Sequence, residues 1–178
     1  MLEAAVEVLG TKGSRALTHR AADRAAGLPE GTASNYFRTR DALLIGALEF
    51  ISASEAGPLL PPQLPDTLEE MADLAAVGIE FMLGPGRTLA LARHALFLEA
   101  AVNDRLRQGL LDASAPWWQL GTALLTRLGA PDPGRRGRWL FAAIDGLIVD
   151  QLARPDPEFD AREAIRPLLS GLAAAPRA

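Results

Sequence analysis

Polar and basic side chains of the kinds that recognise nucleic acid are concentrated between Leu17 and Leu44. Arg20 belongs to a cluster of basic residues of the kind that phosphate contacts need, and Asn35 can pair with adenine through two hydrogen bonds. The hydroxyl of Ser34 can bond to either kind of group. These residue types, at this density, predict recognition by hydrogen bonding to base edges and phosphates.

Charge is distributed unevenly along the chain. The 178 residues carry a net charge of −4, but residues 11–40 hold six basic side chains against two acidic ones. A surface that contacts phosphates needs such a local excess of positive charge. A solvated surface without function would show the same pattern, so charge alone leaves both interpretations open.

Two short helices joined by a tight turn would position these side chains. The first is predicted over residues 18–26 and ends at Gly27, which tolerates a left-handed backbone. The second is predicted over residues 29–37, with Pro29 in its first turn. Such a pair is the helix-turn-helix signature, and its second helix enters the major groove of DNA.

The rest of the chain predicts more helices and no strands, because apolar residues recur at helical spacing and no segment alternates with period two. The fold class is therefore all-α, with about nine helices. Residues 57–65 hold four prolines and predict an extended joint. Pro116 and Pro167 are expected to kink or interrupt the helices that contain them. The other helices are predicted over residues 2–9, 39–56, 66–83, 87–102, 104–128, 137–153 and 160–174, with Asp66 capping one of them.

Composition excludes several classes of protein. The absence of cysteine rules out disulfides, thiolate metal sites and a cysteine nucleophile. The apolar runs are shorter than a membrane span, and the first residues lack the basic flank and apolar stretch of a signal peptide. A soluble, cytoplasmic protein is therefore the expectation.

Several separated positions of the N-terminal region coincide with one family pattern. They are Leu17-Thr18, Arg20, Ala26-Gly27-Leu28, Gly31-Thr32, Tyr36-Phe37 and Arg40-Asp41-Ala42-Leu43-Leu44. The chain resembles the TetR family of bacterial transcriptional regulators. The resemblance implies a helix-turn-helix DNA-binding domain over residues 1–50 and a helical ligand-binding and dimerisation domain over residues 51–178. It also implies a homodimer that binds a near-palindromic operator in double-stranded DNA and is released by a small-molecule effector.

The resemblance assigns DNA contacts to specific positions. Those matching Tyr36 and Arg40 usually touch phosphates in such proteins, and the one matching Arg20 often reaches a base or a phosphate. Ser34 and Asn35 are better candidates for base contacts than Thr32, which can serve packing or phosphate binding. The full set of expected DNA-binding residues is Thr18, His19, Arg20, Glu30, Gly31, Thr32, Ser34, Asn35, Tyr36 and Arg40.

Two acidic residues depart from the family pattern. Glu30 stands where a lysine or another non-acidic residue is common, and it could accept a hydrogen bond from cytosine N4 or simply lie at a helix N-terminus. Asp23 stands where a small apolar residue is usual, and it is expected to pair with Arg20 or Arg24.

The C-terminal region offers candidates for a ligand pocket and for a dimer interface. Buried aromatic residues with a few polar groups are typical of pockets, although they are also typical of plain core. The pocket candidates are Met82, Arg93, His94, Phe97, Trp117, Trp118 and Asp145. Small residues and leucines on the last two helices suit close packing within the chain or across a two-fold axis. These interface candidates are Ala142, Ala143, Gly146, Asp150, Ile165, Leu168, Leu169 and Leu172.

Two other functions compete with the leading one. An enzyme could use His94 with Glu99 or Asp145 as acid and base, but no nucleophile elbow, phosphate loop or metal-spaced cluster supports it. We therefore expect no catalytic residue, no metal and no cofactor. The alternative from a third class is a helical regulator that binds a ligand or a protein and has lost DNA binding, which the acidic residues at positions 23 and 30 favour.

Overall fold

The computed structural model describes residues 1–59, 61 and 63–174, and within them it contains nine α-helices, a short 3-10 helix at Ser14–Ala16 and no strand. The prediction of an all-α fold with about nine helices is confirmed. In this part of the chain no single helix is long and apolar enough to cross a membrane, and one bent pair passes that test by length and composition only. The helices are α1 (Leu2–Lys12), α2 (His19–Ala25), α3 (Thr32–Tyr36), α4 (Arg40–Leu59), α5 (Leu68–Leu83), α6 (Arg87–Ala100), α7 (Asp104–Arg127), α8 (Pro133–Ala153) and α9 (Ala161–Ala173).

The chain folds into two compact units that interleave in sequence. Unit 1 comprises Met1–Pro58 and Pro85–Ser114, and unit 2 comprises Leu59–Gly84 and the chain from Ala115 onward. The helix α7 therefore contributes its first half to unit 1 and its second half to unit 2. The functional boundary expected near residue 50 stays a prediction.

Unit 1 is built around the packing of α1 on α6. Val6, Leu9 and Leu96 are among the side chains buried in its core. A side chain at Gly10 would come within 2.6 Å of the carbonyl oxygen of Thr88, so the two helices can approach this closely only with glycine at that position. The helix α1, predicted over residues 2–9, also packs against α2 of the helix-turn-helix.

Unit 2 packs α5 against α8 and α9. The helix α9 buries Ile165 and Leu169. The backbones of α7 and α8 meet at Gly121 and Gly137, where a Cβ on Gly137 would lie only 2.7 Å from the backbone nitrogen of Thr122. Glycine at this crossing therefore sets the distance between the two helices.

An exposed network of charges joins α9 to α5. Arg162 donates to Asp73 and, at 2.6 Å, to Glu69, while Arg166 donates to Glu69 at 2.8 Å. Hydrogen bonds from Arg166 and Arg162 hold the pKa of the Glu69 carboxyl below its usual value. Two arginines thus fix the first turns of α9 beside the start of α5.

Several helix boundaries differ from those predicted. The helix α5 is capped by Thr67 in a capping box with Glu70, one residue later than the predicted cap at Asp66. The helix α8 starts at Pro133, because the Asp132 side chain caps it and proline suits its first turn. The helix α4 continues to Leu59, beyond its predicted end, so the expected proline-rich joint begins later in the chain. Residues 60 and 62 of that joint lie outside the described residues. Helices α7 and α9 both run through their prolines.

Candidate nucleic-acid interface

Local sequence explains how α2 and α3 begin and end. The Thr18 side chain caps α2 by accepting a hydrogen bond from the N–H of Ala21 at 3.1 Å. Gly27 follows α2 with a φ of 64°, and Gly31 precedes α3 with a φ of 95°. Because the Gly31 backbone is left-handed, residues 29–31 form a turn and α3 starts at Thr32, three residues later than predicted.

A buried carboxylate fixes the start of α3. Asp23 in α2 is only 2% exposed. Its Oδ2 accepts a hydrogen bond from the N–H of Gly31 at 2.8 Å, and its Oδ1 accepts one from the N–H of Ala33 at 2.7 Å. The expected pairing of Asp23 with Arg20 or Arg24 is therefore wrong, because the unpaired amides at the N-terminus of α3 are the donors that lie within its reach.

The end of α3 is also tied to α2. The Nε2 of His19 lies 2.7 Å from the carbonyl oxygen of Phe37, and because a carbonyl can only accept, Nε2 carries the donated proton. The ring of Phe37 packs against α4, where a Cβ on Gly46 would approach it to 2.6 Å. The short helix α3 is thus held at both ends, and its own five residues need not stabilise it alone.

The outer face of α3 consists of the residues predicted to read DNA. Ser34, Asn35 and Tyr36 are exposed, and Tyr36 is 73% exposed, whereas Ala33 is buried beneath them. The hydroxyl of Ser34 donates to the carbonyl oxygen of Gly31 at 2.8 Å. The hydroxyl of Thr32 donates to the carbonyl oxygen of Pro29 at 2.6 Å. Both hydroxyl oxygens retain the capacity to accept a further hydrogen bond.

The acidic residue at position 30 lies in the turn before α3 and forms an ion pair with Arg20 of α2. The Nε of Arg20 is 2.5 Å from Oε1 of Glu30, and both side chains are largely exposed. The charge of this carboxylate is thus neutralised by a residue that is itself a predicted DNA contact.

Arg40 occupies a junction inside unit 1. Its guanidinium donates to Oε1 of Glu99 in α6 at 2.8 Å and to the carbonyl oxygen of Ser14 at 2.8 Å. The Ser14 hydroxyl donates to the other oxygen of Glu99 at 2.8 Å. Hydrogen bonds from Arg40 and Ser14 hold the pKa of the Glu99 carboxyl below its usual value. The phosphate contact that the resemblance gives Arg40 stays a prediction, and the structure adds a stabilising role.

The ligand-pocket candidates in unit 1 lie on α6. Arg93 forms an ion pair with the buried Glu55 at 3.2 Å, and its guanidinium lies 5.8 Å from the centroid of the Phe97 ring. The His94 ring contacts the Phe97 ring edge to face at 5.6 Å, and its Nδ1 lies 2.7 Å from the carbonyl oxygen of Ala90. These side chains form a polar and aromatic cluster in which each predicted residue takes part.

The candidates in unit 2 lie on α5, α7 and α8. Met82 is buried in the core. The ring of Trp117 meets Phe141 edge to face at 6.0 Å, and the guanidinium of Arg138 lies 4.4 Å from the Trp118 centroid. Sequence reasoning did not select Phe141 or Arg138, although both follow the apolar and basic spacing of α8. Asp145 lines an open groove on α8 beside Gly146, Val149, Asp150, Ala153 and Arg154.

The predicted interface residues divide by burial. On α9, Ile165 and Leu169 are 0% and 1% exposed and belong to the core of unit 2, whereas Leu168 is 40% exposed. On α8, Ala142 and Gly146 are exposed. Trp139 and Val149 on the same helix are also exposed, and they extend this face beyond the residues named from the sequence.

In the part of the chain that the structure describes, no group of three histidine and acidic side chains is arranged to hold a metal ion.

Comparison with known proteins gives one family match. Residues 66–175 match the family described as the tetracyclin repressor-like, C-terminal domain. No curated protein sequence matches the chain.

Solved structures resemble the chain over nearly its whole length. A transcriptional regulator from Rhodococcus sp. Rha1 is 20% identical, with a TM-score of 0.82, over 98% of this chain and 97% of that one. A member of the TetR family from Streptomyces coelicolor A3 is 27% identical, with a TM-score of 0.72, over 98% and 96%. The multidrug binding protein EbrR complexed with ethidium is 27% identical, with a TM-score of 0.75, over 98% and 96%.

Proposed function

Because this chain belongs to the TetR family of transcriptional regulators, we propose that it is a ligand-responsive repressor. It binds a near-palindromic operator in double-stranded DNA as a homodimer. A small-molecule effector that binds its C-terminal domain releases it from the operator.

The geometry of α3 is the observation that carries the DNA-binding part of the proposal. Asp23 fixes its start and His19 fixes its end, so the exposed Ser34, Asn35 and Tyr36 project from a backbone of defined orientation. A reading helix gains specificity when its side chains meet base edges without first having to be ordered. Basic residues around it supply the attraction to phosphate.

The exposed face of α8 supports the proposed dimer. Ala142, Gly146 and Val149 follow one another at helical spacing on its surface, and Leu168 adds an exposed apolar side chain on α9. Small residues allow the backbones of two helices to approach closely. A two-fold dimer would present two copies of α3, which matches the two half-sites of a palindrome.

The effector site is proposed from the family and from the aromatic side chains. EbrR, which is similar in structure, was solved with ethidium. Aromatic rings such as those of Trp117, Trp118 and Phe97 offer flat apolar surfaces that a small ligand could use. The candidates for effector contacts stay those expected from the sequence, with Arg93, His94 and Phe97 in unit 1 and, separately, Met82, Trp117, Trp118 and Asp145 in unit 2.

Selection from a randomised pool of DNA duplexes tests the proposal without knowledge of the operator. The wild-type protein should enrich a near-palindromic sequence, and its affinity for that duplex should fall steeply with salt concentration. The variant Asn35→Ala should bind the selected duplex about tenfold or more weakly and should no longer discriminate among bases at one position of each half-site. A bidentate contact to adenine discriminates by roughly 1–3 kcal/mol.

The matched control is Gln108→Ala, an exposed amide of unit 1 outside the helix-turn-helix, which should bind like the wild type. Enrichment of no duplex would refute DNA binding and favour the regulator that binds only a ligand or a protein. The acidic residues at positions 23 and 30 favoured a regulator that has lost DNA binding, but both have other roles in the fold. Asp23 anchors the start of α3, and Glu30 pairs with Arg20.

A further inference from the structure

We propose that Glu30 is a positioning residue for DNA recognition, which orients Arg20 toward a guanine in each operator half-site. The inference rests on the proposed function and deepens it, since it names a specificity determinant and the base that it selects. It also gives a role to an acidic residue on a surface that is proposed to bind DNA.

The ion pair leaves the two terminal nitrogens of the Arg20 guanidinium available to contact DNA. A guanidinium carries five N–H donors, and Oε1 of Glu30 lies 2.5 Å from Nε, so the carboxylate stands at the Nε side of the group. The two terminal nitrogens keep their N–H groups in a planar fork. That fork matches the O6 and N7 acceptors of guanine in the major groove.

Both residues of the pair stand on fixed backbone. Arg20 lies in the first turn of α2, which the Thr18 side chain caps. Glu30 is joined to Gly31, whose N–H is bonded to the buried carboxylate of Asp23 at 2.8 Å. The ion pair therefore connects α2 to the turn that precedes α3 and limits the directions in which the guanidinium can point.

Charge favours a base over a phosphate as the target of Arg20. The carboxylate of Glu30 offsets the positive charge of the guanidinium, so its attraction to the DNA backbone is reduced. The remaining N–H donors keep their directions, and direction is what guanine recognition requires. The pair is 79% and 69% exposed, and an exposed pair contributes little to stability, so substituting either residue should leave the fold intact.

The test uses the duplex that the wild-type protein selects and a second duplex with 7-deazaguanine, which lacks N7, at the preferred guanine. Wild-type affinity should fall about tenfold on the modified duplex. Glu30→Ala and Arg20→Lys should each lose the preference for guanine at that position. The double variant should lose no more than either single variant, because both act through one contact. The control Glu7→Ala, which removes an exposed acid from α1, should keep the preference.

Other outcomes overturn the inference. If Glu30→Ala binds every sequence more tightly and keeps the guanine preference, Glu30 only repels phosphate. If 7-deazaguanine leaves wild-type affinity unchanged while Glu30→Ala still loses the preference for that base pair, Glu30 itself reads the paired cytosine through its N4. If Arg20→Lys weakens all sequences equally, Arg20 contacts the backbone. In each of these cases the proposed function stands, whereas enrichment of no duplex by the wild type refutes that function together with this inference.

Discussion

The carboxylate of Asp23 in α2 accepts a hydrogen bond of 2.7 Å from the backbone N–H of Ala33 in α3. The same carboxylate accepts a second one from Gly31 at 2.8 Å. A side chain of one helix thus satisfies the amides that the other helix leaves unpaired at its start. The turn between the two helices is consequently fixed from inside the protein and not only by the conformation of its own residues.

Replacing Asp23 should therefore disturb DNA binding and stability together. Asp23→Ala leaves the buried amide of Ala33 and the partly buried amide of Gly31 without an acceptor, which should cost about 1–3 kcal/mol in the free energy of unfolding. Operator affinity should fall further than stability explains, because α3 loses its orientation. Urea denaturation and fluorescence anisotropy with the selected duplex measure the two effects. Asp112→Ala, at an exposed position of α7, should change neither by much. Full operator affinity in Asp23→Ala would contradict the anchoring role.

Replacing the glycine at the crossing of α7 and α8 should lower the free energy of unfolding. Gly137→Ala places a methyl group 2.6 Å from the backbone carbonyl carbon of Gly121, so the helices must separate. We expect a loss of about 1–3 kcal/mol in the free energy of unfolding, the usual cost of overpacking. Gly171→Ala is the matched control, since nothing lies within 4 Å of its added carbon. That change should be neutral or should stabilise the protein by up to about 1 kcal/mol. If thermal denaturation shows equal stability for the two variants, the close approach of α7 and α8 does not require glycine at position 137.

The junction of Arg40 and Glu99 should make unit 1 sensitive to acid. The pKa of Glu99 is below its ordinary value of 4.5 in the folded protein. Its stabilising contribution is therefore complete above that value and is lost as the pH falls through the lower folded-state pKa.

Glu99→Gln should reduce the free energy of unfolding near neutral pH by about 1 kcal/mol, because the pair is partly exposed to solvent. The difference from the wild type should shrink as the pH falls below about 4.5. Urea denaturation over a range of pH checks this, with Glu7→Gln as the control for a change in charge alone. A difference that stays constant with pH would argue against the ion pair.

A bulky residue at Gly146 should separate the proposed dimer without unfolding the chain. No atom lies within 4 Å of a Cβ added there, so the side chain of Gly146→Arg would extend outward from α8. Size-exclusion chromatography with light scattering should show a dimer for the wild type and for Gly146→Ala, and a monomer for Gly146→Arg. A wild-type monomer at micromolar concentration would refute the dimer.

Local signals made the fold predictable. Apolar residues at helical spacing, capping side chains such as Thr18, and stops such as Gly27 act within a few residues, so the sequence shows where they operate. Errors occurred where two local signals compete. Pro29 is a good first residue for a helix, but the left-handed Gly31 two residues later delays the start of α3 to Thr32.

The sequence by itself determined the all-α class, the helix-turn-helix and the polar side chains on its second helix, because each follows from residue types at short spacing. Only the tertiary structure decided which groups meet. In the folded chain Asp23 accepts hydrogen bonds from two backbone amides and not from an arginine, and Arg20 forms an ion pair with Glu30. Arg40 bonds to Glu99, which is 59 residues away in the sequence. A sequence lists donors and acceptors, but the choice among them depends on distance and burial, which exist only once the helices have packed.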